Sequence, residues 1–184
     1  RHDAYPEYKA QREATPEDIK RSVPIIKEII RAYRIPIIEV PGYEADDVIG
    51  TLAKRSEEAG LEVCMLTPDK DYAQLVSAHI TMCRPGHAGG GPKEVCEKYG
   101  IESPTQVIDL LALMGDTADN IPGCPGVGEK TAVKLIGQFG SVEGLIDGVG
   151  ELKGALKKKV EDNVEKIRFS KFLATIRTDV PLQE

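Results

Sequence analysis

Apolar residues change rhythm once along this chain of 184 residues, near residue 90, and the change restricts the fold to an α/β layer followed by helices. Ile35 to Val40, Leu61 to Thr67 and Ile80 to Cys83 are short apolar runs bounded by turn residues, each reading as a strand. Glu44 to Ala59, between the first two, reads as a helix stopped by Gly60. Strand, helix, strand at this spacing predicts a mostly parallel sheet, with Leu61–Thr67 buried in it. Upstream, Thr15-Pro16-Glu17-Asp18 is a helix start: a capping hydroxyl, proline at the first helical position, then two acids. Ile19, Val23, Ile26, Ile30 and Tyr33 follow at steps of three and four, so this helix is expected to bury one stripe and to kink at Pro24. A short helix is expected from about Tyr72 to Val76. Arg84 to Pro92 contains three consecutive glycines but no GxGxxG or Walker pattern, and reads as a flexible surface loop. Beyond it only helices are expected, over 92–99, 104–114, 129–138, 142–147, 152–160 and 164–174. The chain therefore divides into an α/β part, 1–91, and a helical part, 92–184.

The hydrophobic fraction, 41%, is too high for a disordered chain, yet no apolar run approaches the ~20 residues that span a membrane. Cys64, Cys83, Cys96 and Cys124 form no CxxC pair and fit reduced thiols in a cytoplasmic protein better than a disulfide frame or a zinc site. Charge is uneven: residues 1–119 hold 14 Lys and Arg against 21 Asp and Glu, whereas 120–184 hold 10 against 9. Three clusters supply seven of the acids: Glu44, Asp46 and Asp47; Asp69 and Asp71; Asp116 and Asp119. Removing those seven would erase the whole deficit of the first segment. Acids at a helix start are favoured by its dipole, and Asp69 can cap the short helix with Lys70 as local counter-charge. Three acids in four residues nevertheless repel one another. Two more lie just past a helix C-terminus, at the wrong end of its dipole. An all-oxygen set of this kind suits Mg²⁺ or Mn²⁺. Two such ions ~3.5–4 Å apart would activate water and stabilise the leaving oxygen of a phosphodiester.

Ile121 to Ala132 (IPGCPGVGEKTA) reads as helix, tight Gly-Val-Gly turn, helix, a hairpin spanning about 115–140. Gly126, Val127 and Gly128 allow close backbone approach, and the amides opening the next helix favour an anion. Lys130, Thr131 and Lys134 can add phosphate contacts, a pattern that grips a nucleic-acid backbone without reading bases. Tyr8-Lys9-Ala10-Gln11-Arg12 places aromatics and cations as a single-strand contact surface does. Residues 151–171 hold seven Lys or Arg against four acids, and Lys157–Lys159 form a wet helix face that can also touch duplex.

Six motifs in order carry a family resemblance: Tyr-Lys-x-x-Arg at 8–12, Glu-Ala-Asp-Asp-Val-Ile-Gly at 44–50, Asp-Lys-Asp at 69–71, Leu-Met-Gly-Asp-x-x-Asp-Asn-Ile-Pro-Gly at 113–123, Gly-Val-Gly-Glu-Lys-Thr-Ala at 126–132 and Leu-Ala-Thr-Ile-x-Thr-Asp-Val at 173–180. With them the chain resembles the 5′-nuclease family, specifically the 5′→3′ exonuclease domains of bacterial DNA polymerases. The resemblance implies a PIN-like α/β core, then a helix-hairpin-helix region. It implies cleavage of DNA at 5′ ends and flaps, a polymerase domain further along the parent chain, and a bacterial, cytoplasmic, nucleoid-associated setting. It assigns Glu44, Asp46, Asp69 and Asp71 to a first metal ion and Asp116 and Asp119 to a second, with Asp47 an accessory acid. Lys9 and Arg12 would polarise the scissile phosphate. Gly126 to Thr131 would hold duplex, with K⁺ on the turn's carbonyls. Family members carry two further acids on strands upstream of the Arg1-His2 start, so a fragment with weak Mg²⁺ binding and poor cutting is expected. Two other readings stay open on the residues alone: a duplex-binding module without chemistry, and a Mg²⁺-dependent small-molecule phosphohydrolase.

Overall fold

The computed structural model describes Arg1 and residues 3–182, with the backbone alone for 87–89. The N-terminal segment leads into helix α1 (Glu17–Ala32), then α2 (Ala45–Glu58), strand β1 (Val63–Leu66), a 3₁₀ helix (Lys70–Leu75), and strands β2 (Ile80–Arg84) and β3 (His87–Gly90). Helices α3 (Pro92–Tyr99), α4 (Gln106–Met114), α5 (Glu129–Phe139), α6 (Val142–Asp147), α7 (Gly154–Glu161) and α8 (Val164–Ala174) complete the chain, with a 3₁₀ turn at Val149–Glu151. The sheet runs β1-β2-β3. β1 and β2 are parallel, with Val63 opposite Ile80 and Leu66 opposite Cys83, while β3 returns antiparallel to β2. The segment expected to be a loop at 84–92 thus contains a hairpin strand, because Gly86, at φ +79°, permits the tight reversal.

Five further expectations fail in the α/β part. Pro16, not Thr15, takes the N-cap of α1, and no side chain caps that helix. None of its residues is buried: Ile19, Val23, Ile26 and Ile29 all face solvent. Residues 35–40 make no ladder among the described residues, since a strand needs a neighbour to satisfy its amides and β1 pairs only with β2. β1 itself buries Met65 and exposes Leu66, because one sheet face is open. The thiol expectation is also corrected: Cys64 and Cys83 form a disulfide. Their strands are hydrogen-bonded neighbours and the Cα atoms lie 6.0 Å apart, a proximity that spacing in sequence does not reveal. Cys96 and Cys124 are free.

The helical part follows its expected boundaries closely. Leu110, Leu113, Leu135, Ile136, Leu145 and Ile167 interlock in its core. A second core gathers Ala53, Met65, Tyr72, Leu75, Ile80 and Leu111, and Tyr99, Ile101 and Met114 pack against both. The C-terminal stretch 174–180 lashes the halves together. Gln74 donates to Ala174 O at 3.0 Å and accepts from Ile176 N at 2.9 Å, and Val180 N donates to Thr51 Oγ1 at 3.1 Å. Gly50 is required here, because a Cβ would stand 2.7 Å from Ile176 Cγ2.

Candidate active site

Each acidic cluster reaches the site through its own element. Asp46 lies in the first turn of α2, where Tyr72 Oη donates to it at 2.9 Å. Asp69 caps the 3₁₀ helix that leaves the carboxyl end of β1, accepting from Asp71 N at 3.0 Å. Open α/β sheets form their sites at such strand ends. Asp116 and Asp119 lie in the turn after α4, closed by paired backbone bonds between Asp116 and Ile121 of 3.0 and 2.8 Å. Gly115, at φ +73°, makes that turn possible, since a Cβ there would fall 2.5 Å from Ile121 O. The N-terminal segment then straps the turn in place. Lys9 N donates to Asp119 O at 3.1 Å and Asn120 Nδ2 to Glu7 O at 2.7 Å, and Gln11 bonds Thr117 O. Lys9 holds φ at +57°, a conformation unfavourable for lysine and accepted here at a cost of about 1 kcal/mol.

These elements enclose a cleft of about 210 Å³ lined by Lys9, Arg12, Asp46, Asp69, Lys70, Asp71, Asp116, Ala118 and Asp119. Cations already sit on the acids. Lys70 Nζ lies 2.7 Å from Asp116 Oδ2, Arg12 pairs with Asp119, and Lys9 Nζ lies 2.9 Å from Glu44 and 3.8 Å from Asp119. Burial and the neighbouring Asp69 push the Asp71 carboxyl up to about 6, and its Oδ1 is buried without a hydrogen-bond partner. Burial likewise raises Asp46, partly offset by Tyr72. Burial would raise Asp116 too, but the Lys70 hydrogen bond and the Ala118 amide outweigh it and hold its carboxyl low. That hydrogen bond raises Lys70 in turn.

Not every acid singled out in the sequence faces this cleft. Glu44 stands beside it, joined through Lys9 and held by Arg1 Nη1 at 2.8 Å. Asp47 turns away and is buried. Both its oxygens accept from Arg1 at 2.9 Å, and Oδ1 also takes Arg177 N at 2.9 Å, so these bonds tie it to the scaffold and not to the cleft. Tyr8 is 2% exposed, so its ring offers no stacking surface; its hydroxyl reaches Glu44 at 3.3 Å and Asp119 at 3.4 Å. Arg1, Tyr72 and Lys70's hold on Asp116 were not signalled by motif spacing, because each acts across distant segments.

An all-oxygen set with one orphaned buried oxygen fits a hard divalent cation. Among the described residues, however, no three His, Cys, Asp or Glu groups converge closely enough to ligate one ion as they stand. Asp116 and Asp119 are instead each held by a cation, Lys70 and Arg12.

The Gly-Val-Gly turn lies further along. Its first arm is not helical: residues 115–128 form turns between α4 and α5. Gly123, at φ +64°, crosses so near Gly115 that a Cβ would sit 2.3 Å from its nitrogen, and Pro122 and Pro125 remove helix donors. Gly126 takes φ +79°, Val127 is buried, and Gly128 is the N-cap of α5. Lys130 and Lys134 are exposed and Thr131 half-buried. Lys159 Nζ donates to Gly126 O at 3.3 Å, so a carbonyl expected to face K⁺ meets an ammonium.

Two family models match the chain end to end: "5'-3' exonuclease, N-terminal resolvase-like domain" over residues 1–100 and "5'-3' exonuclease, C-terminal SAM fold" over 102–184. The chain belongs to the 5′-3′ exonuclease family. Among curated relatives, DNA polymerase I of Bacillus caldotenax is 47% identical over 189 residues, covering all of this chain and 21% of that protein. The thermostable DNA polymerase I of Thermus filiformis is 46% identical over 184 residues, covering 22% of its length. This exonuclease chain thus spans about a fifth of the relatives it matches. Its fold is shared with T5 5′-exonuclease bearing divalent metal ions (zinc), at TM-score 0.78 and 24% identity over 96% of this chain and 70% of that one. The catalytic core of Rad2 in complex with DNA substrate superposes less closely, at TM-score 0.56 and 19% identity over 91% and 59%. Among the described residues no helix is long and apolar enough to cross a membrane.

Proposed function

We propose that this exonuclease-family chain hydrolyses DNA phosphodiesters at 5′ ends and flaps with two divalent ions, Mg²⁺ or Mn²⁺, held in the aspartate cleft. The observation that carries the proposal is the meeting of five aspartates from three separate segments in one cleft rimmed by Lys9 and Arg12. Asp46, Asp69 and Asp71 would serve one ion, with Glu44 beside them, and Asp116 and Asp119 the other. When bound, the ions supply an activated water and neutralise charge on the leaving oxygen. Arg12 presents a planar fork to the phosphate, and Lys9 a point charge anchored against Glu44. Asp47 belongs to the scaffold. Residues 1–91 are read as the nuclease core and 92–184 as the duplex-gripping part. Gly126–Gly128 and the first amides of α5 would take a backbone phosphate, with Lys130, Thr131 and Lys134 alongside and Lys159 sharing the turn with any K⁺. Relatives that are DNA polymerases point to a parent chain that adds synthesis, with the removal of 5′ ends in replication and repair as this part's task.

A fluorescent 5′-flap substrate tests this. Mg²⁺-dependent cutting is expected, abolished by chelation. Asp116→Asn should slow it by about 10²-fold or more, because an ion's charge stabilisation is worth several kcal/mol. The seated cations favour a second reading, a duplex-binding module without chemistry. No Mg²⁺-dependent cutting by the unsubstituted chain, with duplex affinity unchanged in Asp116→Asn, would favour that reading.

A further inference from the structure

We infer that Lys70 is a built-in counter-ion of the cleft: its ammonium holds Asp116 while no divalent ion is bound and yields that carboxylate when one arrives. The inference rests on the metal reading above and adds a residue to which that reading gives no part.

Charge and exposure support it. Five aspartates and three cations line the cleft, a net charge of −2 with all ionised. One divalent ion would neutralise that lining. A second would leave an excess of two positive charges unless a resident cation withdraws. Lys9 is the least able to leave, being 15% exposed and bonded to Glu44 with its backbone tied to Asp119. Arg12 holds Asp119 from the strap and also bonds Ala118 O at 3.4 Å. Among the described residues Lys70 has one ion-pair partner, Asp116 at 2.7 Å, and its side chain is 54% exposed, so a rotamer change returns it to water. Asp116 is 6% exposed on its side chain, with the Ala118 amide on Oδ1 at 2.8 Å, so losing its cation without a replacement would be costly. Arg12 is as exposed, at 55%, but is tied to both Asp119 and Ala118 O, whereas Lys70, on a flexible stem, can release Asp116 without breaking a second bond. Placed between Asp69 and Asp71, Lys70 remains within the cleft's field after leaving.

Because coupling between two sites is reciprocal, an ion that displaces Lys70 must bind more tightly when Lys70 is absent. Calorimetric titration of Mn²⁺ into the chain should therefore show about a fivefold gain in affinity for Lys70→Met. Lys98→Met, which removes a charge from exposed α3, should change affinity by less than about twofold. With lysines carrying ¹³C at Cε, the resonance lost in Lys70→Met should move on Mg²⁺ addition to the position of solvated lysines. Unchanged or weaker Mn²⁺ binding in Lys70→Met, or a Lys70 resonance indifferent to Mg²⁺, overturns the inference and leaves the metal reading standing. No Mn²⁺ uptake at millimolar concentration by either protein overturns both.

Discussion

The helical part and the α/β part treat similar apolar stripes in opposite ways. In α4, α5 and α8 the stripe faces other helices, so Leu113, Ile136 and Ile167 are sealed. In α1 a stripe of comparable regularity meets water, with Ile19 54% and Ile26 49% exposed. Periodicity therefore reports that a helix has two faces. What covers the apolar face is decided by neighbours, and among the described residues none of α1 is buried by one.

The sharpest way to break this comparison is where the two parts join. Asp47, on α2, is pinned through Arg1 to Leu173 O and Thr175 O at the end of α8. Asp47→Ala should lower unfolding free energy by about 3–5 kcal/mol in denaturant titration, because Arg1 is left charged and buried. A small loss would mean the parts are held by apolar packing alone. Next, Leu113→Ala should cost about 3 kcal/mol by the same measurement, the usual cost of a cavity in a closed core.

The cleft offers a smaller, pH-dependent effect. Asp71 is raised from 3.8 to about 6, so the folded state holds its proton more tightly than the unfolded chain does. That contribution is complete below pH ~4 and is lost as pH rises through ~6. Asp71→Asn should gain about 1–2 kcal/mol on the unsubstituted chain between those limits in chelator, after discount for partial exposure. Thermal melts across pH 4–7 would show it, and parallel curves would mean the carboxyl is not strained. Smallest of all, Ile26→Ala on α1 should change stability by less than about 0.5 kcal/mol. A loss above 2 kcal/mol would show that α1's stripe is covered in solution.

Much of this was legible in the sequence because it depends on local chemistry. Helix boundaries in the second half follow from Gly128, Ser141 and Gly140, residues whose backbone or hydroxyl settles a helix end alone. Asp69 and Asp71 could be placed from the strand that delivers them. What escaped depends on partners far along the chain. Residues 35–40 have strand composition but no ladder among the described residues, and Cys64 meets Cys83 through the register of β1 on β2. Asp46 and Asp47 are adjacent and alike, yet the helix turns one toward Tyr72 and the cleft and the other toward Arg1. A hundred degrees of rotation per residue separates them, and the motif does not say which way is inward.

Where the chain turns back at Gly123 its backbone lies flush against Met114 and Gly115, and Cys124 N reaches Leu113 O at 2.8 Å while Gly123 N reaches Ser170 Oγ at 2.9 Å. The loop bearing Asp116 and Asp119 is thereby stitched to the loop bearing Gly126–Gly128. On the proposed reading, a backbone phosphate taken at the second loop would sit at one set reach from the aspartates of the first, as on a ruler whose two marks are scored on the same bar.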